Sequence, residues 1–421
     1  MTGIGLTAAE AIWWKAMTQY MTSYTSYTGA RNATVLAAGQ LYGNLSTERA
    51  RTIQAWNLVG VVGIGTITTA AGTGTSGSSG DNGLATSATL SSPMGVAAAP
   101  DGSLFIADTG NNKVRRVDVA GVITMVAGTG TAGATDVTDG SGHIIATLSQ
   151  LDAPYDVAIS CTSYTCDTFD LYIADTNNHR VRSVDQNGYM RARVGTGTAG
   201  YNGNPNASQA QLYHPRGITL DPIDPDILYV ADTSNHRVHR VDIGQDDITT
   251  LAGTGTSGFS GDGGAATSAK LDNPRGVVAS ASGDIYIADS YNYRVRKING
   301  SGVISTVVGT GSAGSSGNGG AGTSATLNKP SHLAYYADYN ATGIADENLF
   351  IADQYSNQVR RYSLIDNKIY AFAGTGTAGY SGDGGLAAQA TLNWPFGVGV
   401  DLYGNVYIAQ TLSHVVRAVA K

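Results

Sequence analysis

Residues 90–130 read LSSPMGVAAAPDGSLFIADTGNNKVRRVDVAGVITMVAGTG, and this stretch decides the fold. A short apolar run at 96–99 is followed by Asp101-Gly102, a hairpin signal. Residues 104–108 then run Leu-Phe-Ile-Ala-Asp. Residues 114–118 alternate Val and Arg, which puts one face in a core and one in water. Ala120-Gly121 makes a second turn before the apolar run at 122–127. Four antiparallel strands in a unit of this length describe one blade of a propeller.

Working outward, the same markers return six times. Gly-Thr-Gly begins at Gly72, Gly128, Gly195, Gly253, Gly309 and Gly374. Leu-x-x-Pro recurs as Leu90/Pro93, Leu151/Pro154, Leu212/Pro215, Leu271/Pro274, Leu327/Pro330 and Leu392/Pro395. An Ala-Asp step ends at Asp108, Asp175, Asp232, Asp289 and Asp353, with Gln410 in the sixth slot. Seven residues later stand Arg115, Arg182, His239, Arg296, Arg360 and Arg417. Four markers in phase at a period of about 57 residues specify a repeat architecture. The sixth unit stops after its third strand, at 415–419. The segment 67–71 has the pattern of the strand it lacks, so it is expected to complete the last blade and close the ring without a free edge. The long glycine-rich loops carry the repeated Leu and Pro and are expected to pack over the blade junctions.

Composition agrees. Glycine supplies 56 of 421 residues, and only 14% are charged, against a usual share of about 25%. The net charge of -7 argues against a nucleic-acid partner. No run of 18 apolar residues exists, so no membrane span is expected. Glu10 and Lys15 interrupt the N-terminal apolar run, so a secreted product requires a leader upstream of Met1.

Pro-x-Gly-Val at 93–96, Ile-Ala-Asp at 106–108 and Asn-x-x-Val-Arg at 111–115 resemble the NHL-repeat family of six-bladed propellers. The resemblance covers 63–421. It implies a mainly β fold and binding of proteins, peptides or nucleic acid; a few such propellers are enzymes with a metal in the central channel.

The first sixty residues differ. Thr7-Ala-Ala-Glu10 reads as a capping box opening a helix with Ile12, Trp13, Met17 and Tyr20. A second helix is expected over 29–42, ending at Gly43, and a third from about Ser46 with Ile53 and Trp56. Residues 3–62 resemble the C-terminal helical end of thermolysin-like zinc metallopeptidases, through Gly3-Ile-Gly-Leu6, 11–20, Leu41-Tyr42-Gly43 and Val59-Gly-Val-Val62. That family's His-Glu-x-x-His is absent, and the first histidine is His143. No zinc ligand or catalytic residue carries over. Two domains are expected, 1–62 and 63–421.

Each candidate site has a plain structural role as its alternative. The repeated aspartates read as turn or ion-pair residues. The Gly-Asp-Gly-Gly loops, with Asp262 and Asp383 and relatives at Asp81 and Asn318, read as glycine turns, with calcium the competing reading. Calcium wants six or more oxygens, and each loop offers one carboxylate. The residue after each repeated proline varies: Met94, Tyr155, Arg216, Arg275, Ser331 and Phe396. This position precedes the innermost strand and faces a mouth of the channel. There Tyr155, Arg216, Arg275 and Phe396 are the candidate grip for an anionic or sugar-like group. His179, His236 and His414 share one repeat position away from the axis and cannot meet at one metal; His332 alone lies near the channel, and one ligand is not a site. Cys161 and Cys166 are expected to form a small disulfide loop, the alternative being two unpaired thiols. Sequons at Asn32, Asn44, Asn206, Asn299 and Asn340 are candidate glycosylation sites in a eukaryotic secretory setting.

These readings point to a non-catalytic extracellular propeller with no cofactor. It would act as a scaffold, interaction or assembly subunit, including a filament, with protein partners, further copies of itself or glycans. The alternative is the C-terminal targeting portion of a secreted metallopeptidase.

Overall fold

The computed structural model describes residues 6–19, 41, 65–161, 166, 168–340 and 343–421. Tyr20, Asn32, Asn44, Trp56 and the third expected helix lie outside the described residues. Of the second helix only Leu41 is described, and it is helical.

Six antiparallel sheets form the ring. In the first blade Val96–Ala98, Leu104–Asp108, Lys113–Val117 and Val122–Ala127 pair in sequence order from the axis outward, and the two-residue strand Gly83–Leu84 extends the rim. The last blade is Pro395–Val400, Val406–Gln410 and Val415–Val419, with Ile67–Ala71 as its outer strand. The seam register runs Ile67↔Val419, Thr68↔Ala418 and Thr69↔Arg417. A strand from the beginning of the propeller thus closes the sheet formed by its end.

Six buried apolar clusters fill the six junctions, each drawing residues from two neighbouring blades. The repeated leucines Leu90, Leu151, Leu212, Leu271, Leu327 and Leu392 are fully buried in these clusters. This answers why such long loops are ordered: each contributes a leucine to the core between blades. The loops are also tied by charge. Arg115 reaches Asp81 at 2.8 Å, Ser79 O at 3.2 Å and Thr89 O at 2.9 Å. Arg296 reaches Asp262 at 2.6 Å, and Arg417 pairs with Asp383. Arg182 pairs with Asp136. Arg360 takes Asn318 Oδ1 at 3.0 Å. The Gly-Asp-Gly-Gly segments are glycine turns, closed by Gly264 N to Gly261 O and Gly385 N to Gly382 O at 3.0 Å, and their carboxylates have a further role, pairing with the repeated arginines. Beside the arginine or its equivalent in every blade the pairing register shifts by one residue, the extra residue lying on the outer strand.

The repeated aspartates have the ion-pair and turn roles expected of them. Asp108 accepts from Ser91 N at 2.7 Å and Asn111 Nδ2 at 2.8 Å, with Arg115 at 3.7 Å. Burial pushes Asp108, Asp289 and Asp353 up to about 6, although these hydrogen bonds and the arginines pull the other way.

Neighbouring blades are stapled by the hydroxyl that follows the aspartate. Thr109, Thr176, Thr233 and Ser290 donate to the carbonyls of Pro154, Pro215, Pro274 and Pro330 at 2.5–2.7 Å. Thr411 closes the seam on Pro93 O at 3.0 Å.

The helix Leu6–Gln19 buries Ile12 and Ala16, four residues apart, and exposes Trp13 and Trp14. It begins at Leu6, one residue before the expected cap Thr7; the side chains of Thr7 and Glu10 lie outside the described residues.

Candidate binding site in the central channel

The innermost strands run in one direction, so sequence order along them is depth along the channel. The first layer is the residue after each proline. Tyr155 and Phe396 meet edge-to-face with ring centroids 5.6 Å apart. The Arg216 guanidinium lies 4.7 Å from the Tyr155 ring. Arg275 donates to Gln354 Oε1 at 2.9 Å and lies 5.3 Å from the Tyr291 ring. Lys329 Nζ stands 4.6 Å from Tyr291 and 4.4 Å from Tyr355, and Tyr355 packs on Trp394 at 4.8 Å. The four predicted residues lie in this layer, Arg275 and Phe396 buried and Tyr155 and Arg216 half-buried. Lys329, Tyr291, Tyr355 and Trp394, which sequence reasoning missed, extend it into an alternation of aromatic and cationic side chains. Ser331 turns away, fully buried, and donates to Phe396 O at 2.7 Å.

Arg115, Arg182, Arg296, Arg360 and Arg417 are all ion-paired. Among the described residues, no carboxylate lies within ion-pair distance of Arg216, Arg275 or Lys329. The Nε atoms of Arg216 and Arg275 are buried without a hydrogen-bond partner. Burial and the adjacent Arg216 charge push the Arg275 guanidinium below its ordinary range.

The second layer is one residue deeper. Four blades place glycine there: Gly95, Gly217, Gly276 and Gly397. A Cβ on Gly397 would stand 1.9 Å from Met94 O, and one on Gly217 2.3 Å from Arg275 O. The strands crowd the axis too closely for side chains, except in the second and fifth blades, where Asp156 and His332 fill this position. His332 Nε2 contacts Asp156 Oδ2 at 2.9 Å, and its Nδ1 contacts Val398 O at 3.1 Å. Asp156 Oδ2 also accepts from Ile218 N at 2.9 Å, while Oδ1 is buried without a partner. Burial pulls the His332 imidazole down, but the Asp156 carboxylate and both hydrogen bonds outweigh it, and its pKa stands above the ordinary value. The pair ties four blades together across the channel.

Below it opens a cavity of about 310 Å3, lined by His332 and by residues that include Val157, Thr219, Asp221, Val277 and Leu333.

The other predicted residues fall elsewhere. His179, His236 and His414 accept backbone N–H groups of the next blade, from His214, Asn273 and Ser92 at 3.0–3.3 Å. Asn112 and Asn357 do the same to Ala153 and Trp394. These residues all adopt φ between +51° and +54°, which suits Asn and His. Cys161 and Cys166 are disulfide-linked, with Cα atoms 5.0 Å apart, between the first two strands of the second blade. Asn206, bridged to Asp247, and Asn299 are exposed; the side chain of Asn340 lies outside the described residues. No group of three metal-ligating side chains occurs among the described residues.

A family profile described as the teneurin NHL domain matches residues 40–167 and 221–334. Another, described as the thermolysin metallopeptidase alpha-helical domain, matches residues 1–61. The chain is 30% identical over 286 residues to Protein SUPPRESSOR OF QUENCHING 1, chloroplastic, of Arabidopsis thaliana, covering 65% of this chain and 25% of that protein. It is 27% identical over 276 residues to NHL repeat-containing protein 2 of Homo sapiens, with coverages of 59% and 36%. For Teneurin-1 of Mus musculus the identity is 28% over 237 residues, with coverages of 52% and 8%. The chain thus spans between 8% and 36% of the length of these relatives. Among solved structures, a structural genomics protein from Bacteroides thetaiotaomicron superposes with a TM-score of 0.59 at 17% identity, over 84% of this chain and 75% of that one. An auxiliary nutrient binding protein from Bacteroides ovatus gives 0.58 at 15%, over 84% and 76%. At these identities the likeness is one of fold.

Proposed function

This chain belongs to the family of teneurin NHL domains, and from that membership we propose that it is a non-catalytic extracellular propeller working as an interaction or assembly module. The observation that carries the reading is the axis of the ring. Both imidazole nitrogens of His332 are engaged, one by Asp156 and one by Val398 O, so neither offers a lone pair to a substrate or a metal. Above that seal lies the mouth with Arg216, Arg275 and Lys329 among aromatic rings. It is the surface on which an anionic group, of a protein or of a glycan, would be held. The Cys161–Cys166 disulfide favours an oxidising compartment.

Residues 1–62 form a unit distinct from the propeller at 63–421. Its profile match at 1–61 and the first propeller strand at Ile67 support that division. Trp13 and Trp14 are 45% and 69% exposed, and apolar surface of that kind marks contacts. We assign it to self-association, heterologous and open to filament growth. Sedimentation velocity of the whole chain against one lacking residues 1–60 tests this. The whole chain is expected to assemble at tens of micromolar and the shortened one to stay monomeric; two identical monomers would overturn the assembly role.

The peptidase-like match supports a second reading, in which the chain is the targeting portion of a metallopeptidase. A His-Glu-x-x-His upstream of Met1 in the same reading frame would favour it.

A further inference from the structure

The third blade departs from the other five at the arginine position. Elsewhere a guanidinium fills the space beneath the glycine loop. In the first blade it is held by Asp81, Ser79 O and Thr89 O. In the fourth it is held by Asp262 and Ser260 O. The fifth blade needs no loop carboxylate, because Arg360 takes Asn318 Oδ1 at 3.0 Å and Ser316 O at 3.2 Å.

The third blade carries His239. Its Nε2 contacts Asp232 at 3.2 Å and its Nδ1 contacts Thr250 Oγ1 at 3.4 Å, and the ring reaches no loop acceptor. A cavity of about 310 Å3 remains, lined by residues that include Tyr201, Asn202, Asn204, Gln211, His239 and Thr250. Counted from the Gly-Thr-Gly marker, Asn202 corresponds to Ser79 and Ser260, and Asn204 to Asp81, Asp262 and Asn318. Gln211, one residue before the repeated leucine, corresponds to Thr89. Among the described residues no N–H donates to Asn202 O or Gln211 O; Gln211 N turns instead to Asn202 Oδ1 at 3.2 Å. The aromatic wall is kept as well. In the fourth blade Phe259 is flanked by Arg294 at 3.7 Å and Arg296 at 4.8 Å. In the third, Tyr201 keeps Arg237 at 3.7 Å and faces His239, nearly parallel, at 6.0 Å.

We propose that this cavity is a binding site for a guanidinium group supplied from outside, the arginine side chain of a partner polypeptide. The chain provides what its other blades use to hold their own arginine: two loop carbonyls, a loop side-chain oxygen, an aromatic face and a buried aspartate behind. It omits the arginine. The site is independent of the channel mouth and selects the opposite charge.

Isothermal titration of the intact chain with methylguanidinium and with N-acetyl-arginine methylamide tests the proposal, with methylammonium as the comparison. Saturable binding of both guanidinium probes, tighter than that of methylammonium, is expected. His239→Arg places an internal guanidinium in the cavity and should abolish it. Asn204→Asp supplies the carboxylate found at Asp262 and should tighten binding about tenfold, the worth of one hydrogen bond to a charged group. The absence of saturable binding to the wild type overturns the site. So does a folded His239→Arg variant that binds as the wild type does; should that variant not fold, an Asn204→Asp variant with unchanged affinity is equally decisive.

Discussion

His332 Nε2 lies 2.9 Å from Asp156 Oδ2, and the two residues come from blades that face each other across the six-bladed ring. Four glycines let the inner strands close on the axis, and the two side chains that remain at that level are a base and an acid. Such a pair is costly to bury and costlier to break, because either partner alone is an uncompensated charge.

Asp156→Asn should therefore destabilise the protein by about 3–5 kcal/mol near pH 6, the range for removing one member of a buried pair. His332 titrates above its ordinary value of 6.5. Stability from a raised histidine is fully present below the unfolded value and is lost as pH rises through the folded one. The advantage of wild type over His332→Gln should shrink as pH is raised above 6.5. Thermal melts of both proteins across pH 5.5–9 provide the check.

The histidines between blades carry the opposite sign. Burial lowers His179 and His414, and each uses Nδ1 as an acceptor. Stability from a lowered histidine is present above 6.5 and lost as pH falls through the folded value. A His179→Asn, His414→Asn variant copies Asn112 and Asn357. It should melt like wild type at pH 8 and hold more of its stability at pH 5. Equal acid sensitivity in the two proteins would remove these histidines as the cause.

Asp289, pushed up to about 6 by burial, favours the fold most when protonated. Its contribution is complete below the ordinary 3.8 and fades as pH rises through about 6. Asn at this position retains an acceptor for the backbone N–H of Asp272, as Gln410 does for Asn393. Asp289→Asn should gain on wild type between pH 4 and pH 7 in chemical-denaturation midpoints.

The ring was legible in the sequence because its markers are local and repeated. Leu90, Pro93, Asp108 and Arg115 recur in phase, and the missing sixth outer strand announced the one at Ile67–Ala71. The mouth was legible because Tyr155, Arg216, Arg275 and Phe396 break a repeat at a position whose direction the fold dictates. Lys329 and Trp394 stand just before the repeated proline, outside that position, so they escaped. Asp156 escaped for another reason. Its meaning lies in a departure from glycine matched by a second departure, His332, three blades on, and only a closed ring makes those blades opposite. The arginine–loop pairs, such as Arg115 with Asp81 34 residues earlier, escaped because they depend on the path of the glycine loop back over its blade, which no residue spacing specifies.

The mouth is the proposed working surface of a module that binds without catalysis. Isothermal titration of the intact chain with sulfate and with glucuronate measures that directly, alongside an Arg216→Gln, Arg275→Gln variant and the His239→Arg variant. Saturable, salt-sensitive binding is predicted for wild type and for His239→Arg, with a loss of at least about tenfold in the double variant, since each charge-assisted contact contributes on that scale. Equal affinity in the wild type and the double variant, or no saturable binding to the wild type, would contradict it.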